Sequence, residues 1–183
     1  IRDFCFGTPG IYRGMKRFPY EGGHRVPGIV RYPAKIHAGT TSDELVVATD
    51  FLPTAAKLAH VNSPTDRNMD GIDALPALQG GETEREKPYL WLFPTHEDTY
   101  FLMPHMSMRY GNYTLLGWFP EKPKDSTLME WMKSSVPAKF SLYNLSSDPS
   151  QQNDLVHAEP ELVDKLKPMM MQHWIEIRDE GPN

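Results

Sequence analysis

The sequence contains one cysteine among 183 residues, no long hydrophobic run and no excess of positive charge. A single cysteine, Cys5, excludes an intrachain disulfide and a metal site built from cysteines alone. No stretch approaches the roughly 18 consecutive apolar residues that a membrane-spanning helix needs. The 19 basic residues are outnumbered by 24 acidic ones, giving a formal net charge of -5. We therefore expect neither a membrane partner nor a nucleic-acid partner.

The composition is nevertheless that of a folded protein, because 39% of the residues are hydrophobic and 11% are aromatic. The 17 prolines predict short elements. In the first half we predict a loop over 7–28, a mostly buried strand over 28–33, a helix over 51–60 and a second loop over 61–88. Thr49 and Asp50 are predicted to cap the helix, and Leu75 and Leu78 to anchor the second loop. The chain does not begin with methionine, and we expect it to be part of a longer protein.

From residue 88 onward the hydrophobic pattern changes to the alternation typical of strands. Gly111-Asn112 is suited to a two-residue hairpin turn, which needs positive φ. Residues 159–178 repeat apolar side chains at helical spacing. The second half is therefore predicted to be a small antiparallel sheet covered by a C-terminal helix, with strands over 89–93, 106–110, 113–118 and 140–145.

The segment 14–27 carries the densest chemistry of the sequence. Its cationic side chains lie among glycines, which let backbone N–H groups approach an anion closely. These side chains are Lys16, Arg17, His24 and Arg25. Spacing alone leaves two interpretations open: an oxyanion site, or a solvated turn in which Glu21 pairs with Arg25.

This segment resembles the second signature of the sulfatase family, of the arylsulfatase and N-acetylgalactosamine-6-sulfatase type. In that signature a Gly-Lys element is followed by Glu-Gly-Gly-x-Arg, which here is Glu21-Gly22-Gly23-His24-Arg25. The resemblance continues through VRYP at 30–33, TDFLPT at 49–54, DGIDALPALQG at 70–80, LYNL at 142–145 and DP at 148–149. It implies an α/β fold of the alkaline-phosphatase-like sulfatase type. Residues 1–87 would be the C-terminal part of the large α/β domain, and residues 88–183 a small α+β subdomain of about four antiparallel strands and a terminal helix.

The resemblance also implies roles for individual residues. Lys16 is the candidate catalytic residue, a lysine whose ammonium holds a sulfate oxygen and stabilises charge as the ester S–O bond breaks. Glu21, Gly22, Gly23 and Arg25 match positions that shape the loop. His24 fills the variable position of the signature and could face either the substrate or solvent. Loops of the C-terminal sheet border the substrate pocket in the family, which makes candidate substrate contacts of His96, His105 and Arg109.

Two parts of the family's catalytic machinery have no match in this sequence. The formylglycine nucleophile is made from a Cys/Ser-x-Pro/Ala-x-Arg signature, which the sequence after Cys5 does not fit. The Asp-Asp and Asp-Asn pairs that hold calcium do not precede the lysine segment, so we expect no metal ligands here. The chain thus resembles the C-terminal third of a sulfatase, whose complete form, the parent enzyme, would contain calcium and formylglycine and hydrolyse sulfate esters. We expect the chain to be inactive alone.

Several questions stay open at this point. A non-catalytic carbohydrate- or protein-binding module derived from a sulfatase is the alternative to an enzyme. The partner of the parent enzyme would be a sulfated small molecule or glycan, and the family occurs in periplasmic, secreted and lysosomal proteins.

The strands that would flank residues 28–32 are expected upstream of the chain, so we predict self-association through that segment, or its shielding by the loop 7–27.

Overall fold

The computed structural model describes residues 7–93 and 103–180, which form two compact units. One unit joins the residues up to Val26 with those from Pro88 onward, and the other is Pro27–Lys87. The border after Lys87 coincides with the sequence-based boundary. The structure differs in grouping the loop before Val26 with the C-terminal half. Membership of residues 1–87 in a large α/β domain stays a prediction.

The first unit contains a four-stranded antiparallel sheet in the order β1-β2-β3-β4, as predicted. The strands are β1 Tyr89–Leu92, β2 Met106–Tyr110, β3 Tyr113–Trp118 and β4 Lys139–Asn144. The helices of the described residues are α1 Glu21–His24, α2 Phe51–Leu58, α3 Leu75–Leu78, α4 Leu128–Ser134 and α5 Pro160–Glu180. The predicted hairpin turn is confirmed, and Gly111 adopts a φ of +55° there. None of the described helices is long and apolar enough to cross a membrane.

One face of the sheet packs against α5, because apolar residues alternate along the strands and recur every three to four positions along the helix. The sheet contributes Met106, Met108, Leu115 and Leu142, and the helix contributes Val163, Leu166, Met170 and Trp174. All of these side chains are buried. Complete burial of one such side chain contributes about 1.5–3 kcal/mol. This helix-on-sheet core, which the sequence predicted, therefore stabilises the C-terminal half of the chain.

The short helix α4 was missed by the analysis of hydrophobic period. It begins with a capping box: the Thr127 hydroxyl accepts from the Glu130 N–H, and the Glu130 carboxylate accepts from the Thr127 N–H. Trp131 is buried and packs edge-on against Phe119. The Thr-x-x-Glu spacing at 127–130 was the signal that could have located this helix.

The strand predicted over 28–33 is absent, which corrects the sequence-based assignment. Ile29 and Val30 are 94% and 51% exposed and lie in irregular backbone. A strand requires a neighbour for its backbone hydrogen bonds. The Pro27–Lys87 unit contains no strand that could pair with this segment. The β-branched character of the sequence is therefore not sufficient to form a strand here.

In the Pro27–Lys87 unit, α2 begins at Phe51 as predicted but ends at Leu58. The Asp50 carboxylate does not cap it. It accepts hydrogen bonds from the N–H groups of Val47 and Ile72 and pairs with the Arg85 guanidinium. Asp50 thereby ties together three segments of the unit.

The anchors of the loop over 61–88 also differ from those predicted. Leu75 and Leu78 are only partly buried, whereas Ala74 and Ala77 are 2% and 1% exposed. The small alanine side chains allow the close packing of α3 that the leucines were expected to provide.

Candidate functional site

The lysine loop, defined here as residues 13–25, lies on the face of the sheet opposite α5. Phe18 and Tyr20 form a second buried cluster with Leu116 of β3 and Tyr143 of β4. Leu115, next to Leu116 in sequence, packs against α5 instead. Since successive strand residues point to opposite faces, the sheet separates the lysine loop from the C-terminal helix.

Lys16 lies in a tight turn formed by residues 15–18. The Phe18 N–H donates to the Met15 carbonyl at 2.9 Å. Arg17 has a φ of +80°, which is typical of the third residue of a type II turn. Lys16 and Arg17 are exposed, and no described residue forms an ion pair or hydrogen bond with the Lys16 ammonium. The Lys16 side chain is therefore available to an external anion.

Behind the turn, the carboxylate of Glu21 is almost completely buried, with a side-chain exposure of 5%. Its Oε1 lies 3.4 Å from Arg109 Nη1 and 3.4 Å from the Thr114 hydroxyl, which donates to it. Its Oε2 lies 3.7 Å from Arg25 Nη1, so the predicted contact between Glu21 and Arg25 is present. A buried charge of this kind is stable only when paired, and removing one partner typically costs about 3–5 kcal/mol.

The Arg109 guanidinium is turned toward Glu21 and is largely shielded from solvent. Its side chain is 17% exposed, and its Nε donates to the Gly111 carbonyl. Burial lowers the pKa of Arg109, and the Glu21 carboxylate partly offsets this change. An arginine remains charged under these conditions. The structure thus gives Arg109 a role in holding the loop.

Gln151 is a further residue of the site, which the sequence analysis missed. Its side-chain Oε1 accepts from the Glu21 N–H at 2.9 Å, and its backbone carbonyl accepts from Arg13 Nη1 at 2.8 Å. Gln151 is fully buried and has a φ of +51°. A contact across 130 residues leaves no trace in local sequence patterns.

Gly22 and Gly23 are required by the close approach of α1 to the rest of the loop. A Cβ on Gly23 would lie 1.7 Å from the Phe18 carbonyl oxygen and 2.8 Å from that of Met15. A Cβ on Gly22 would lie 2.7 Å from the Arg13 carbonyl oxygen. The Gly-Gly pair of the signature therefore has a steric reason, independent of any contact with substrate.

His24 stacks on Trp91 of β1, with ring centroids 4.2 Å apart and an interplanar angle of 12°. Its Nε2 lies 4.0 Å from Glu21 Oε1, and its side chain is 9% exposed. Burial lowers the pKa of His24. Arg109 and Arg25 lower it further, while Glu21 opposes the change. Burial thus disfavours the charged form of the imidazole, and the stacked ring forms another contact between α1 and the sheet.

The remaining sequence-based candidates lie elsewhere. His105 is 2% exposed; its Nδ1 accepts from the Phe119 N–H, and its ring packs against Phe119 and Trp131. This position supports a structural role for His105 in the core, and its contact with substrate stays a prediction. His96 and Cys5 lie outside the described residues. Within 7–93 and 103–180 no group of three or more His, Cys, Asp or Glu residues is arranged so that it could hold a metal ion.

The fold and the lysine loop together define the class of protein as a C-terminal portion of a sulfatase. Residues 10–179 match the family model described as N-sulphoglucosamine sulphohydrolase, C-terminal, and the chain belongs to this family. The sulfatase resemblance and the predicted fold class are confirmed.

Curated relatives and solved structures agree with this family. The chain is 45% identical to human steryl-sulfatase over 85 residues, which are 46% of the chain and 15% of that protein. It is 31% identical to a sulfatase of Schizosaccharomyces pombe over 171 residues, covering 89% of the chain and 26% of the relative. A solved structure from work on glycosaminoglycan metabolism by Bacteroides thetaiotaomicron is 25% identical, with a TM-score of 0.62, over 91% of this chain and 32% of that one. The chain therefore spans a third or less of these proteins.

Proposed function

We propose that the chain is the C-terminal part of an enzyme that hydrolyses sulfate esters to an alcohol and inorganic sulfate. The observation that carries this proposal is the exposed ammonium of Lys16. Lys16 lies in a turn whose backbone is held in place by the adjacent residues Glu21, Gly22 and Gly23. Membership of the sulfatase family supports the same activity. The substrate is a sulfated small molecule or glycan.

In this proposal Lys16 is the catalytic residue supplied by the chain. Its ammonium binds a sulfate oxygen and stabilises the negative charge that develops as the S–O bond breaks. The fixed backbone of the turn limits where the ammonium can lie, which reduces the cost of reorganisation during the reaction. Glu21, Gly22, Gly23 and Arg25 shape the loop, and His96 stays a proposed substrate contact.

The parent enzyme would supply the other groups from residues that this sequence does not contain. Formylglycine would provide a nucleophile for sulfur, and calcium would neutralise charge on the sulfate group. Lys16 alone cannot replace either contribution.

The activity of the chain alone tests this division of roles. We expect the purified 183-residue chain to show no multiple turnover of 4-nitrophenyl sulfate with calcium added, and the full-length parent enzyme to release sulfate from an aryl, steroid or sugar sulfate. Ion chromatography of the released sulfate measures both. Turnover by the chain alone would contradict the division of roles. A parent inactive on all three substrate classes would overturn the proposal in favour of a binding module.

We further propose that the isolated chain self-associates through residues 28–32, where Ile29 and Val30 are exposed. Sedimentation velocity should show concentration-dependent association of the wild type and its loss in Val30→Lys, because a charge opposes burial of the patch. The control is Val136→Lys, at a valine that is 48% exposed in the other unit. A wild type that stays monomeric at high concentration would refute the self-association.

A further inference from the structure

We propose that Arg109, on strand β2, is a positioning residue for Lys16 and acts through Glu21 and the contact of Gly23 with the turn at 15–18. This inference rests on the proposed function of Lys16. It assigns to the C-terminal sheet the task of fixing where the catalytic ammonium lies.

The first link is between the sheet and α1. Arg109 lies on an inner strand, paired with Tyr89 of β1 and Thr114 of β3. Its guanidinium is additionally fixed to the Gly111 carbonyl. The backbone and the side chain of Arg109 are therefore held in place independently of Glu21. The distance between Arg109 Nη1 and Glu21 Oε1 is 3.4 Å.

The second link is α1 itself. It is a single turn of four residues without a side-chain cap, which is too short to be stable in isolation. Its first residue, Glu21, is held at both ends: Gln151 accepts from its N–H, and Arg109 and Thr114 bind its carboxylate. The position of α1 is therefore set by the sheet and by Gln151.

The third link connects α1 to Lys16. A Cβ on Gly23 would lie 1.7 Å from the Phe18 carbonyl oxygen and 2.8 Å from that of Met15, so Gly23 lies against the two ends of the turn that carries Lys16. This contact leaves no room for even one methyl group. A shift of α1 toward the turn therefore displaces the turn and with it the Lys16 side chain.

Arg25 differs from Arg109 in a way that separates charge neutralisation from positioning. Both contact the Glu21 carboxylate, but Arg25 belongs to the lysine loop and is 53% exposed. Arg25 can neutralise Glu21 without connecting the loop to the sheet. Arg109 does both, so its loss should affect Lys16 more than the loss of Arg25.

A double-mutant cycle in the full-length parent enzyme tests the inference. Arg109→Met should lower kcat by about 10- to 100-fold with less than about a threefold change in KM, and Arg109→Lys should restore part of the loss. Arg25→Met should have a smaller effect, and Arg67→Met, at an exposed ion pair with Asp66, should have none. In the Lys16→Ala background, Arg109→Met should lower kcat by no more than about two- to threefold further. If the two effects multiply, Arg109 does not act through Lys16 and the inference is overturned.

Hydrogen exchange of the 183-residue chain provides a readout that needs no activity. Arg109→Met should speed exchange of the Phe18, Gly22 and Gly23 amides at least tenfold, while the amides of β4 stay protected. Unchanged protection in the loop would overturn the inference even if the parent enzyme is an active sulfatase. Conversely, failure of the parent enzyme to hydrolyse sulfate esters would refute the proposed function, and the exchange rates would still decide whether Arg109 fixes the loop.

Discussion

Replacing Lys16 with alanine in the full-length parent enzyme is expected to lower kcat/KM by about 10²-fold or more. Removal of a single preorganised donor to a developing oxyanion typically has an effect of this size. Folding should hardly change, because Lys16 is exposed and no described residue pairs with its ammonium. Steady-state kinetics together with a thermal melt of the same preparation measure the two quantities separately.

The matched control is Lys124→Ala, which removes another exposed lysine without an ion pair or hydrogen bond to any described residue. We expect this variant to keep both its kinetics and its melting temperature. Near-normal kinetics of Lys16→Ala would show that the role carried over from the family does not apply to this residue.

Substitution of Gly23 by alanine is expected to lower both the stability of the lysine loop and the activity of the parent enzyme. The new Cβ would lie 1.7 Å from the Phe18 carbonyl oxygen, a backbone atom that cannot rotate away. Either α1 or the turn must shift, which should destabilise the chain by about 1–3 kcal/mol. Because the turn carries Lys16, kcat of the parent enzyme should fall by about 10²-fold as well. Denaturant unfolding and steady-state kinetics measure the two effects.

Gly28→Ala is the control for this prediction. A Cβ at Gly28 meets no atom within 4 Å, and the residue is not among the glycines with positive φ. Its unfolding free energy and activity should therefore stay close to those of the wild type. A Gly23→Ala variant as stable and as active as Gly28→Ala would contradict the steric account of the Gly-Gly pair.

The elements that sequence analysis predicted correctly are those whose signals are local. The hairpin turn at Gly111 requires a positive φ, and the core residues of α5 recur at helical spacing, so each can be identified from a few neighbouring residues. The capping box before α4 was a local signal too, but an analysis based on hydrophobic period does not detect it. Residues 28–33 have the composition of a strand, yet a strand depends on a neighbour that the composition of the segment does not provide.

The candidate site shows the same difference between residues with local sequence signals and residues that depend on distant contacts. Lys16 and the Glu21-Gly22-Gly23 signature were identified because their spacing is compact and matches a known family. The partners that hold them were not identified: Arg109 was considered a substrate contact, and Gln151 was not considered at all. These residues meet Glu21 across 88 and 130 positions of sequence. Such contacts are set by the register of the sheet and not by any pattern within the loop.

The long sequence separation between Glu21 and Gln151 also bears on the order of events during protein synthesis. Ribosomes add about 5–20 residues per second, so these 130 positions take on the order of 10 s to translate. Until Gln151 has left the ribosome, the Glu21 N–H lacks its native acceptor and the lysine loop cannot be fully closed. The residue proposed to act on sulfate is thus translated well before Gln151, and its final geometry is acquired only after Gln151 has emerged.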